Sequence, residues 1–230
     1  MKTIGLIGGM SWESSLEYYR IINETTKANL GGLHSAKSVM VSVDFAEIEM
    51  LQHQGRWDEA TTEMVAAAQQ LERAGAEVVL LCTNTMHKSA EAIAAHISIP
   101  FLHIADATAA RIQQTGLQHI GLLGTRFTME EDFYRGRLEA KHGLKVSVPE
   151  AGDRATIHRI IYEELCRGII TPEAKATYLT IIDKLVQAGA EGIILGCTEI
   201  ELLIPPNACD IPLFPTSRIH AEAAVEWALA

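Results

Sequence analysis

The strongest constraint on the fold is an internal repeat. Gly75-Ala76-Glu77-Val78-Val79-Leu80-Leu81-Cys82-Thr83-Asn84-Thr85 returns without a gap as Gly189-Ala190-Glu191-Gly192-Ile193-Ile194-Leu195-Gly196-Cys197-Thr198-Glu199. The preceding residues match as well, Leu71-Glu72-Arg73-Ala74 against Leu185-Val186-Gln187-Ala188. A second echo joins Lys2-Thr3-Ile4-Gly5-Leu6-Ile7-Gly8-Gly9 to Gln118-His119-Ile120-Gly121-Leu122-Leu123-Gly124-Thr125. Each copy is a short apolar strand running into a polar turn. The 230-residue chain therefore reads as two related halves, each large enough to bury a core. The register sets Thr83 opposite Cys197.

Between the echoes, apolar runs alternate with segments of helical periodicity. Strands are expected at 4–7, 38–43, 78–82 and 100–104, then at 120–123, 144–148, 192–196 and 211–214. Helices are expected at about 11–30, 57–74, 83–96 and 106–115. In the second half they are expected at 128–141, 153–167, 172–188, just after Cys197, and 217–229. Asp106 and Thr128 are expected to cap two of them, and residues 52–55 to lie in a polar loop. Such alternation implies α/β architecture: two similar doubly wound parallel-sheet domains. The domains are expected to be related by a pseudo-two-fold axis, with the active site in the cleft between them. The expected division is residues 1–103 with 214–230, against 104–213, the closing helix returning to the first half.

Composition narrows the function. The formal net charge is -10 with no run of lysines and arginines, so there is no footprint for nucleic acid or an anionic membrane surface. No apolar stretch approaches the ~18–20 residues of a membrane helix. The N-terminal run meets Glu13 early and has no cleavage signature, so a cytoplasmic chain is expected. Cysteines 82, 166, 197 and 209 are widely spaced, which argues against a zinc site or a disulfide scaffold. Gly5-x-x-Gly8-Gly9 lacks dinucleotide spacing, and no nucleotide cofactor or metal is expected. A small molecule is the expected partner.

Ligands of open parallel sheets bind beyond the carboxyl ends of the strands, where helix N-termini offer free N–H groups to a carboxylate or phosphate. Turns 8–11, 83–85, 124–128 and 197–199 qualify. Thr83, Asn84, Thr85, Thr128 and Thr198 are equally suited to helix capping. Cys197 carries the sharper chemistry, because a thiol at a helix start is expected to have a pKa below its ordinary ~8.5 and so to serve as base or nucleophile. Glu199 would oppose that shift if it faced the sulfur. Cys82 points to the other face and reads as structural. His87, four residues after Thr83, could polarise the Thr83 hydroxyl, touch substrate, or lie on the surface. Two groups on opposite sides of one cleft suit racemisation, with turn N–H groups stabilising an enolate-like carboxylate. Thr83 is a poor base, so the site is expected to be asymmetric.

At these residues the chain resembles the aspartate/glutamate racemase family, cofactor-independent amino-acid racemases with two α/β domains and one catalytic cysteine from each. The resemblance covers nearly the whole chain. It rests on Ile4-Gly5-Leu6-Ile7-Gly8-Gly9-Met10-Ser11-Trp12-Glu13-Ser14, Asn84-Thr85-x-His87, Ile157-His158-x-Ile160-Ile161-Tyr162-Glu163-Glu164-Leu165 and Leu195-Gly196-Cys197-Thr198-Glu199. It implies that Cys197 is the acid/base, with Met10, Gln52, Asn84, Thr85 and Thr198 at an amino-acid substrate; Glu199, in the same turn as Cys197, is a further candidate for substrate binding. It also implies a homodimer and no pyridoxal phosphate.

The family's first cysteine stands immediately before Asn-Thr, where this chain has Thr83, and Pro215-Thr216 replaces an aspartate-threonine pair before His220. The expected reaction therefore has Cys197 taking the proton of the L enantiomer and Thr83 donating on the opposite face, with weak reverse catalysis. Aspartate or glutamate is the expected substrate. Broad specificity, an enzyme similar to arylmalonate decarboxylases and a non-catalytic amino-acid-binding protein are the alternatives.

Overall fold

The structure, a computed structural model, describes residues 1–230. It resolves the two echoes into two parallel sheets of identical strand order. The first sheet contains β1 (Ile4–Gly8), β2 (Ser38–Ser42), β3 (Val78–Leu81) and β4 (Phe101–Leu102), ordered β2-β1-β3-β4. The second contains β5 (His119–Gly124), β6 (Lys145–Ser147), β7 (Gly192–Gly196) and β8 (Leu213–Pro215), ordered β6-β5-β7-β8. The chain forms two compact units, Met1–Ile104 with Ser217–Ala230, and Ala105–Thr216.

Every residue of β1, β3 and β7 is buried, as expected of strands covered on both faces rather than one. In the first unit alternation divides these side chains between two cores. Ile7, Val79 and Leu81 pack with Met64 and Leu71 of α3 (Trp57–Arg73). Leu6, Val78 and Leu80 pack on the other face with Tyr18 and Ile22 of α1 (Trp12–Leu30) and with Ala224 and Val225 of the closing helix (Thr216–Leu229). The last helix thus completes the core of the first unit. Burying each of these large aliphatic side chains contributes roughly 1.5–3 kcal/mol before chain entropy is counted.

Three local expectations are corrected. Residues 45–53 form a helix, α2 (Phe45–His53), where a polar loop was expected up to Gly55. Asp44 starts it by accepting from the Ala46 N–H at 3.0 Å, and Ile48 and Leu51, three residues apart, supply its buried face. Thr125, not Thr128, caps the helix after β5, accepting from the Thr128 N–H. That helix, α6 (Arg126–Glu130), stops after five residues, and α7 (Arg135–His142) follows separately.

The third concerns Asp106, which lies inside α5 (Ile104–Thr115) and caps nothing. It binds Arg137 through two bonds of 2.7 and 2.8 Å, and also Lys141 and His142. Burial alone would raise its pKa, but these bonds outweigh it and hold the carboxyl well below the usual range. Asp106 therefore ties α5 to α7.

Candidate active site

In each sheet the chain leaves its first strand in one direction and later returns on the other side, so the switch point lies between β1 and β3 in one unit and between β5 and β7 in the other. The turns that follow these strands carry the candidate residues.

In the first unit, Gly9 turns the chain out of β1 with φ 97°, and a Cβ there would lie 2.1 Å from the Val43 carbonyl oxygen. Only glycine fits. Its N–H donates to Ser15 Oγ at 2.8 Å, and Ser11 caps α1 by accepting from the Ser14 N–H. Ser14 Oγ then donates to the Cys82 carbonyl at 3.1 Å, fastening the start of α1 to the end of β3. Met10 is buried between these anchors.

The turn after β3 is held as firmly. Thr83 retains partial exposure, whereas Asn84 and Thr85 are buried. The chain continues through a 3-10 turn, Thr85–Ser89, into α4 (Ala90–Ala95), so the helix expected at 83–96 opens with a tighter turn. Buried Gln52, in the last turn of α2, donates from Nε2 to Met86 Sδ at 3.2 Å and so belongs to the same neighbourhood. Cys82 is wholly buried and its thiol pKa is pushed far up, in keeping with a structural role.

His87 is neither a surface residue nor a partner of the Thr83 hydroxyl. It is 2% exposed, with Nδ1 2.7 Å from the Thr83 carbonyl oxygen and Nε2 3.1 Å from the Ile104 N–H. The backbone N–H can only donate, so Nε2 accepts and Nδ1 carries the proton to the carbonyl. His220, completely buried, bonds to Tyr18 Oη through Nδ1 and to the Leu102 carbonyl through Nε2, and burial lowers its pKa to about 4.

In the second unit, β5 and β7 run in register to Gly124 and Gly196. A Cβ on Gly196 would sit 2.6 Å from the Leu123 carbonyl oxygen, so a larger residue would force the strand ends apart just before Cys197. Cys197 is the N-cap of the short helix Thr198–Leu203, its carbonyl accepting from the Ile200 N–H at 3.1 Å. Thr198 and Glu199 are buried, and Cys197 is partly accessible. Thr216 Oγ1 donates to the Leu195 carbonyl at 2.9 Å, bracing the end of β7.

Here the expected thiolate is corrected. The Cys197 thiol donates to Glu199 Oε2 at 3.0 Å, and its pKa lies well above the ordinary value. Close packing is the largest cause, followed by the negative charges of Glu199 and of the Cys166 thiolate form. The backbone N–H of Glu199 acts in the opposite sense, the helix-start effect expected of this position, and is outweighed. The sulfur therefore holds its proton more tightly than an ordinary thiol and donates it in a hydrogen bond to the buried Glu199 side chain.

The sequence patterns agree with relatives of known description. Residues 7–224 match the family model for Asp/Glu/Hydantoin racemase. The chain is 56% identical to an Asp/Glu racemase candidate from Yersinia pestis, each chain fully covered, with a TM-score of 0.93. An aspartate racemase homologue from Pyrococcus horikoshii OT3 is 34% identical over the whole of both chains, with a TM-score of 0.86. The broad specificity amino-acid racemase RacX of Bacillus subtilis is 26% identical over 177 residues, 75% of this chain and 74% of RacX. The glycine-bounded strand ends, the Asn84-Thr85-x-His87 turn and the Cys197–Glu199 pair thus sit within a matched span, and the chain belongs to the Asp/Glu/Hydantoin racemase family, as an isomerase of the amino-acid racemase type.

Proposed function

We propose that this chain racemises an acidic amino acid, aspartate or glutamate, preferring to act on the L enantiomer with Cys197 as base and Thr83 as proton donor on the opposite face. The observation that carries this reading is the 3.0 Å bond from the Cys197 thiol to Glu199. The acidic substrate is supported by the family description and by the aspartate racemase homologue among its relatives.

In the proposed cycle the Cys197 proton moves to the Glu199 carboxylate, and the thiolate so formed takes the Cα proton. Charge then spreads into the substrate carboxylate, where backbone N–H groups of the turns stabilise it. Met10, Gln52, Asn84, Thr85 and Thr198 form the rest of the substrate site. The Thr83 hydroxyl proton passes to the opposite face of Cα, and the proton held on Glu199 returns through water to the Thr83 oxygen. Every proton is accounted for, and the two side chains supply the acid and base without a cofactor.

The two enantiomers have equal free energy, so kcat/KM must be the same in both directions; the weak reverse catalysis expected from the sequence is thereby corrected, and the preference for the L enantiomer concerns which one Cys197 deprotonates. Asymmetry is therefore expressed in proton exchange. In D2O the L substrate exchanges its Cα proton at Cys197 and often reverts with retention, whereas the D substrate must first lose its proton to Thr83, a weak base far from the pKa range of efficient catalysis.

A second reading is favoured by the single thiol at the two repeated turns. In an enzyme similar to arylmalonate decarboxylases, Cys197 would only protonate an enolate. Chiral analysis of product from L-aspartate and L-glutamate, with wild type and Cys197→Ala, separates the readings. Appearance of the D enantiomer, lost in the variant, supports racemisation. Its absence with every amino acid, alongside decarboxylation of an arylmalonate, would support the second.

A cytoplasmic homodimer completes the proposal. It is supported by four free cysteines, suited to a reducing compartment, and by Trp12, Leu16 and Tyr19, exposed along α1 beside Met40 of β2. No helix is long and apolar enough to cross a membrane. Sedimentation equilibrium giving a single 25.1 kDa species would remove the dimer.

A further inference from the structure

We infer that His87 is a positioning residue that sets the Thr83–Thr85 turn from behind, through the Thr83 backbone, and that it works only as the neutral ring protonated on Nδ1. This inference rests on the proposed role of Thr83 as proton donor. Both ring nitrogens are committed to main chain: Nδ1–H donates to the Thr83 carbonyl at 2.7 Å, and Nε2 accepts from the Ile104 N–H at 3.1 Å. The ring thus clamps the turn after β3 to the segment that leaves β4.

The clamp is itself held. His103 lies with its ring centroid 4.6 Å from that of His87, Phe101 at 5.6 Å and His220 at 5.8 Å. His87, His103 and His220 are all buried, and Tyr18 closes the far side of His220 by donating to its Nδ1 at 2.9 Å. His220 in turn donates from Nε2 to the Leu102 carbonyl at 2.8 Å, one residue before His103. The rings therefore connect α1, the closing helix, β4 and the Thr83 turn. His87 supports Thr83 from the protein side.

The consequence is specific to one half of the reaction. A shift of the Thr83 carbonyl acts first on the Thr83 hydroxyl, the nearest side chain, while the Cys197–Glu199 couple rests on β7 and the helix after it. Misplacement of a reacting group by about 1 Å can cost about 10²-fold. Loss of the clamp is thus expected to reduce delivery of the proton at Thr83 far more than exchange at Cys197.

Two measurements test this on the intact protein. In D2O, with L-glutamate or L-aspartate, His87→Leu should lower inversion about 10²-fold while deuterium wash-in with retention stays within a few-fold of wild type. His87→Gln, whose amide can donate and accept, should recover most of the inversion and keeps the test alive if the leucine variant folds poorly. A role confined to stability would reduce both rates together.

Independently of any activity, long-range proton–nitrogen correlation spectra of nitrogen-15 histidine-labelled protein should show His87 as the Nδ1–H tautomer with an unprotonated Nε2 at neutral pH. An Nε2–H ring or an imidazolium there overturns the inference even if racemisation is demonstrated. If the wild type exchanges no amino acid, the proposed reaction fails, while the tautomer still decides whether the clamp exists. Equal loss of wash-in and inversion in both variants also overturns it.

Discussion

The turn after β3 and the turn after β7 share one sequence pattern but are held by different bonds. After β3, Cys82 fills a buried strand position and Thr83 follows, braced from behind by the His87 ring. After β7, Gly196 holds that strand position and Cys197 follows, with its sulfur turned onto Glu199. A one-residue difference in where the thiol sits decides whether it is sealed in the core or partly accessible. In the first unit the thiol is sealed in the core and its pKa is pushed far up by burial alone. In the second, burial also raises the thiol, and the Glu199 side chain that accepts its hydrogen bond raises it further. The lesson is that fold repetition fixes the position of a group beyond a strand end, and the side chain two to four residues later decides what holds that group.

Removing the proposed base should break the comparison outright. Cys197→Ala is expected to lower both wash-in and inversion by about 10²–10⁴-fold, the usual range for losing a positioned acid/base, with retained substrate binding by calorimetry. Retained exchange would dissociate Cys197 from the chemistry.

Making the two turns alike should sharpen it. Thr83→Cys places a thiol at both repeated positions, and is expected to raise kcat/KM equally in both directions, by on the order of 10²-fold. It should also create wash-in with retention from the D substrate, read by mass spectrometry after chiral separation. Thr83→Ala should do the reverse, suppressing inversion and sparing exchange from the L substrate.

Glu199 tests the second turn alone. Glu199→Gln removes a negative charge that raises the Cys197 pKa, so the thiolate absorbance near 240 nm should appear at lower pH than in wild type. It also removes the proton acceptor, so wash-in is expected to fall by roughly 10²-fold at neutral pH. An unchanged titration midpoint would show that the carboxylate does not act on the sulfur.

The smallest effect concerns the scaffold of the second unit. Asp106→Asn should cost on the order of 1 kcal/mol of stability, since solvent still reaches the cluster and screens it. The sign with pH follows from a depressed carboxyl: its stabilisation is complete above the ordinary carboxyl pKa of ~3.9 and is lost as the pH falls below it toward the folded value. The wild-type advantage over the variant should shrink in acid, as read by urea melts at pH 7 and pH 3.

Much of the fold was legible because apolar period and glycine placement are local signals. The buried runs of β1, β3 and β7 and the near-copy of residues 75–85 at 189–199 predicted two parallel sheets, as observed. Helix α2 was missed because Asp44-Phe45 reads as the end of a strand and the residues after His53 are turn formers. Its cap and its Ile48/Leu51 face were the available signals. Asp106 was misread because capping residues and ion-pair residues are the same types, and only tertiary placement of Arg137 separates them. The Cys197 pKa was misjudged in direction because helix position is visible in sequence while packing is not, although Glu199 at two residues' spacing was the warning. The double use of the His87 ring depends on Ile104, seventeen residues away, and no sequence rule points to it.

The measurement that tests the account most directly is deuterium incorporation in D2O, followed from each pure enantiomer of aspartate and glutamate and resolved into retained and inverted product. The account predicts that the L substrate gains deuterium with retention faster than it inverts, and that the D substrate gains none until it inverts. Equal partition between retention and inversion from both enantiomers would contradict a one-thiol site.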